Sequence, residues 1–174
     1  MIQQIGLLIG GSTGNVIYLL GKAAAALTSA GIGVGVAVKY GESPLVTVSA
    51  AVAAMVGGYA GKITGGTFFV DGNAVLAGPG EPLGAFIAAF AGITCGHLVS
   101  GKTKVDIIVT PVITIGAGSV VGLLVGPPIS QMMTGLGSII NWATEQRPFI
   151  MGIVVSVVMG MVLTLPISSA ALGI

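Results

Sequence analysis

Charged side chains divide this chain into long uncharged runs at Met1 to Gly21, Ser43 to Gly61, Pro82 to Gly101, Ile107 to Thr144 and Pro148 to Ile174. At a helical rise of about 1.5 Å per residue, each run reaches far enough to cross a hydrocarbon layer of roughly 30 Å. Backbone in lipid must satisfy its hydrogen bonds internally, which leaves helices or a closed barrel. Barrel strands alternate apolar and polar positions over about ten residues, and these runs do not alternate. The pattern therefore predicts an all-α fold, a polytopic transmembrane helical bundle. Helices are expected at Ile2 to Leu20, Ala23 to Val38, Pro44 to Gly61, Leu83 to Ser100, Val105 to Val125 and Phe149 to Leu165, about six spans in a single membrane domain over residues 1–174. Ala23 to Val38 is short for a span and is expected to tilt or merge with its neighbours.

Three stretches interrupt the pattern. From Ile63 to Pro82 two short apolar pieces flank Asp71, Gly72 and Asn73 and end in Gly78, Pro79, Gly80, Glu81 and Pro82. That density of glycine and proline excludes one continuous helix and predicts a broken or re-entrant segment near 63–82. Pro127 to Arg147 is amphipathic in places, with Pro127 and Pro128 expected to stop a helix, and the tail from Leu165 makes a poor span. Lys102 and Lys104 fall in one short link, which the positive-inside bias assigns to the cytoplasm; one crossing back, Ile63 to Pro82 then lies on or dips in from the outside.

Composition removes other classes. Asp, Glu, Lys and Arg make up 6% of the chain, against about a quarter in soluble domains, and the mean hydropathy is +1.07. A formal charge of +1 offers neither the basic patch that nucleic acid requires nor an acidic tail. The single Cys95 lies in an apolar run, so neither an internal disulfide nor a multi-cysteine metal site is expected. Met1 to Gly21 lacks the cationic start of a secretory signal and is read as a retained membrane segment. No phosphate loop, HExxH zinc motif or nucleophile elbow is present, so no metal, no cofactor and no catalytic residue is assigned.

Thirty glycines are more than twice the usual share of about 7%. Many recur four apart, as Gly6, Gly10 and Gly14, or Gly118, Gly122 and Gly126, and Gly84, Ala88, Gly92 and Gly96 form a similar ladder. Such ladders let helix backbones approach closely where lipid supplies no hydrophobic drive between helices. They are expected to pack the bundle, and at least one of them is a candidate homo-oligomer contact.

Ionisable groups at membrane depth mark polar cavities or partners. His97 lies three residues from both Thr94 and Ser100, giving one polar stripe beside the small-residue ladder; the competing reading is a histidine near the headgroups beside Lys102. Asp71, Asn73 and Glu81 sit in the broken segment, where carboxylates and an amide can bind paired hydroxyl groups; the competing reading there is a solvated loop. The candidate substrate-binding residues are accordingly Glu81, His97, Asp71, Asn73 and Thr94. Gln131, Asn141, Glu145 and Arg147 form a weaker group, with Trp142 as an interfacial anchor.

The stretches GEPLGAFIAAFAG, VTPVITIGAGSVVGLLVGPPISQMMTGLGSIIN and RPFIMGIVVSVVMGMVLTLPISSAA resemble the phosphotransferase-system enzyme IIC permeases, in the branch without an attached IIB domain. GESPLVTVSAAVAAMVGG matches an earlier helix of that pattern. The resemblance implies a multi-helix permease of a bacterial-type plasma membrane for a sugar or related solute, coupled to a IIB-type phosphocarrier partner. It also implies that a Glu and a His contact the sugar, roles that fall on Glu81 and His97 by residue type. Family members continue past the Leu-Pro-Ile-Ser exit, so the chain is expected to be one part of a longer permease. The expected activity is transport of a small polar solute by alternating access. A membrane regulator or scaffold assembling through the glycine faces, and a non-sugar ion or metabolite carrier, are the alternatives.

Overall fold

The computed structural model describes residues 2–70, 73–74, 78, 80–144, 152–153, 155–157 and 160. Its elements are α1 (Ile2–Ile9), α2 (Gly11–Ala26), α3 (Thr28–Lys39), α4 (Pro44–Gly58), α5 (Ala60–Thr64), β1 (Phe69–Val70), β2 (Asn73–Ala74), α6 (Pro82–Val99) and α7 (Asp106–Thr144). The fold is all-helical apart from the two-residue strands, which pair antiparallel with Phe69 opposite Ala74 and Val70 opposite Asn73.

The first expected span is broken. Gly10 and Gly11 both take φ of 65°, which L side chains resist, and the chain folds back as a helical hairpin. Gly6 faces Tyr18, and Gly21 faces Gln3. At Leu27 the chain bends again, by 42°, between α2 and α3. α6 follows expectation to within a residue at each end, and Pro82 sits in its first turn, where a missing N–H costs nothing. α7 departs most from expectation: it runs 39 residues, through Pro127 and Pro128, or about 58 Å. Proline does not stop a membrane helix when neighbouring groups can satisfy the carbonyls it frees. Among the described residues α6 and Asp106–Ile139 are long and apolar enough to cross a bilayer, and α2 with α3 qualifies as a bent pair. Most of the span expected at Phe149 to Leu165 lies outside the described residues.

α4 and α6 run antiparallel at the centre, with α3 and α7 each packed against both. The contact is made by absent side chains: a Cβ at Gly57 would lie 2.5 Å from the Gly84 carbonyl oxygen, and one at Gly84 would lie 2.6 Å from that of Gly57. Gly33 of α3 meets Ala50, and Gly118 of α7 meets Ala53 and Ala88, in the same manner. The main core is correspondingly small-grained: Ala37, Val46, Ala50, Ala54, Ala85, Ala89 and Ile93. Its cohesion is close backbone packing rather than bulk apolar burial.

This packing gives the core two chemically distinct ends. One carries Lys39, Glu42, Ser43, His97, Ser100 and the link to Asp106; the other carries Ser29, Tyr59, Lys62, Gly78, Glu81 and Ser130.

Candidate functional site

The hollow at the first end begins with the way α3 terminates. Gly41, at φ 70°, lets its N–H bond to the Val38 carbonyl while the Glu42 N–H reaches the Ala37 carbonyl, at 3.0 and 3.1 Å. This is the paired bonding of a glycine-terminated helix. Ser43 then caps α4 by accepting from the Val46 N–H at 3.4 Å, and Pro44 opens that helix. Glu42 is thereby held in a two-helix corner, its side chain only 8% exposed, while His97 on α6 is 72% exposed.

Nδ1 of His97 lies 2.9 Å from one Glu42 carboxylate oxygen and 3.2 Å from the other. A ring nitrogen facing a carboxylate serves as the donor, so the contact leaves Nε2 for a second partner. Nearby, the hydroxyls of Ser43 and Ser100 meet at 3.1 Å. Thr94 donates to the Phe90 carbonyl at 2.8 Å, which commits its proton and leaves its oxygen as an acceptor.

Tyr40, Glu42, Phe90, Ile93, Thr94, His97 and Leu98 line an open hollow of about 300 Å³. One wall comes from the end of α3 and its link, the other from α6. Tyr40 and Phe90 meet with ring centroids 5.9 Å apart and planes at 57°, and Phe86 stacks on Phe90 one turn away. Carboxylate, imidazole, hydroxyl and aromatic side chains thus line the same hollow.

The sequence-derived candidates separate. Thr94 and His97 share this hollow. Glu81 lies at the opposite end of α6, sixteen residues or about 24 Å from His97, and accepts from the Ser130 hydroxyl at 3.2 Å. Asn73 is in β2, within the connection from α5 to α6, and Asp71 falls outside the described residues. The expectation of a single pocket shared by Glu81 and His97 is therefore corrected, because a continuous helix holds the two apart. The carboxylate beside His97 is Glu42, and with Tyr40 and Phe90 it escaped sequence reasoning. The Gly-Glu-Ser-Pro string, a helix stop followed at once by a helix start, was the available signal. Cys95 is a half-buried free thiol on α6. Trp142 is exposed on α7; Glu145 and Arg147 lie outside the described residues.

A family model described as Phosphotransferase system, EIIC matches residues 1–174. No curated protein and no solved structure matches the chain.

Proposed function

The chain belongs to the phosphotransferase system EIIC family and is a multi-pass membrane permease of the plasma membrane; from that premise we propose that a single sugar-like solute rests in the hollow between Glu42 and His97 during alternating access. The observation that carries this reading is the Glu42–His97 pair beside the rings of Tyr40 and Phe90. A carboxylate accepts two hydroxyl protons at once, and an aromatic face packs on the C–H face of a sugar ring. A volume of about 300 Å³ is at the small end of the range for ligand pockets, roughly 300–1,000 Å³, and suits one ring.

Lys39, Lys102 and Lys104 lie at the hollow's end of the core, which the positive-inside bias orients to the cytoplasm. A solute held there is within reach of a IIB-type phosphocarrier, and that separate partner supplies the phosphoryl group. The scaffold alternative is left with fewer glycine faces: Gly57, Gly84, Gly118 and Gly122 all meet neighbours within this chain, while Gly31 and Gly35 of α3 meet none.

The test is uptake of radiolabelled hexoses, hexitols and N-acetylhexosamines into proteoliposomes. Glu42→Gln is expected to weaken half-saturation about tenfold or more, the loss of one charged hydrogen bond, and Glu81→Gln by less than about threefold. Equal sensitivity of the two variants, or none in either, defeats the assignment.

A further inference from the structure

The entries to α4 and α6 have the same build. Gly41-Glu42-Ser43-Pro44-Leu45 precedes one and Gly80-Glu81-Pro82-Leu83 the other; both glycines take positive φ, 70° and 74°, and both prolines open their helix. Because α4 and α6 are antiparallel, these related corners stand at opposite ends of the core.

The two corners are fastened by different chemistry. At the Glu81 end main-chain bonds add to the Ser130–Glu81 side-chain contact: the Glu81 N–H donates to the Gly58 carbonyl at 2.6 Å. The Tyr59 hydroxyl lies 2.6 Å from the Gly78 carbonyl oxygen and 3.4 Å from that of Ala26. Tyr59 is 1% exposed, and a Cβ at Gly80 would lie 2.7 Å from the Ser29 hydroxyl. The α2–α3 bend, the α4–α5 break and the start of α6 are thus clamped at one level, around one buried phenol. At the Glu42 end, only side chains join the α3–α4 link to the end of α6: Ser43 to Ser100, and Glu42 to the exposed His97. Among the described residues no main-chain hydrogen bond crosses there. Side-chain contacts at the helix ends exchange for water or a solute hydroxyl more readily than buried main-chain bonds break.

We propose that the Tyr59 clamp is the fixed end of this unit and that the α3–α4 link, Tyr40 to Ser43, is a gate that releases from the end of α6. This rests on the solute reading above and adds to it which end opens. The hollow straddles that joint, with Tyr40 and Glu42 on the link and Phe90, Thr94 and His97 on α6. A solute hydroxyl that takes the Glu42 carboxylate displaces His97, so occupancy and gate position are coupled.

The experiment uses the full chain in proteoliposomes, with Cys95→Ala as background and the hexose, hexitol and N-acetylhexosamine mixture as probe. Ser43→Cys with Ser100→Cys is expected to form a disulfide on oxidation, lowering uptake about tenfold or more, with recovery on reduction; each single variant is indifferent to oxidant. Undiminished uptake with the cross-link verified by mass overturns the gate and leaves the transport reading standing. Absence of uptake by the unmodified protein overturns the transport reading, and the gate with it. A second measurement does not need the double variant: a Cys at position 43 is expected to change its maleimide labelling rate several-fold with probe, while Ser29→Cys, buried at the clamp, stays unlabelled throughout. Labelling of both at equal, probe-independent rates overturns the gate.

Discussion

At the scale of single residues, two glycines of similar appearance have opposite meanings. Gly84 and Gly35 each sit inside a helix and each belongs to a row of small residues four apart. A Cβ at Gly84 would lie 2.6 Å from the Gly57 carbonyl oxygen, backbone that cannot swing aside, whereas a Cβ at Gly35 meets nothing within 4 Å. Gly84→Ala is therefore expected to lower stability by about 1–3 kcal/mol, the cost of overpacking. Gly35→Ala is expected to raise it by about 0.5–1 kcal/mol through the lost freedom of glycine in the unfolded chain. Thermal unfolding in detergent checks both, and shifts of the same sign overturn the packing argument. The same scale shows what local pattern could convey about the site. Thr94 and His97 both line the proposed hollow, and their three-residue spacing on one helix makes that nearness readable in sequence. Glu42 meets His97 across fifty-five positions of sequence, a distance that no helical or strand periodicity encodes.

At the scale of elements, α4 and α6 are legible from their uncharged apolar runs, although Pro82, assigned to the break in sequence, belongs to the first turn of α6. The breaks are less so. Gly10 and Gly11 interrupt a run whose glycines otherwise mark helix contacts, and whether such a residue packs or turns depends on where the chain must go next. Here it turns, and α1 lies back along α2 from Gly14 to Gly21. Removing the turn should restore the straight helix that hydropathy alone suggested. With Gly10→Ala and Gly11→Ala together, each disfavoured at φ of 65°, spin labels at Gln4 and Leu20 are expected to move apart. Their separation should grow from about the 8–10 Å spacing of packed helices towards about 24 Å along one helix of sixteen residues' rise. An unchanged distance by pulsed electron resonance would show that α1–α2 contacts fix the hairpin without help from the glycine turn. Pro127 and Pro128 taught the reverse lesson: a strong stop signal in water proved compatible with a continuous α7, because packing in a membrane protein decides whether the freed carbonyls are stranded.

For the whole molecule the question is which way it faces. Lys39, Lys102 and Lys104 gather at the hollow's end of the four-helix core, while Lys62 marks the clamp end, where it lies over the Tyr59 ring at 5.5 Å. α6 carries no Asp, Glu, Lys or Arg between these levels and is about 27 Å long, close to the thickness of the hydrocarbon layer. By length the two ends of α6 can reach the two water boundaries, and a lysine excess sets orientation most strongly when it lies in a short link such as Gly101 to Val105. In intact cells expressing the Cys95→Ala chain, a membrane-impermeant maleimide is expected to label Lys62→Cys and to miss Lys104→Cys until the membrane is permeabilised. The opposite result turns the molecule over: the Glu42–His97 hollow would then face outward, away from any phosphocarrier. Solute capture would still be possible there, but phosphoryl transfer to a sugar waiting in that hollow would not.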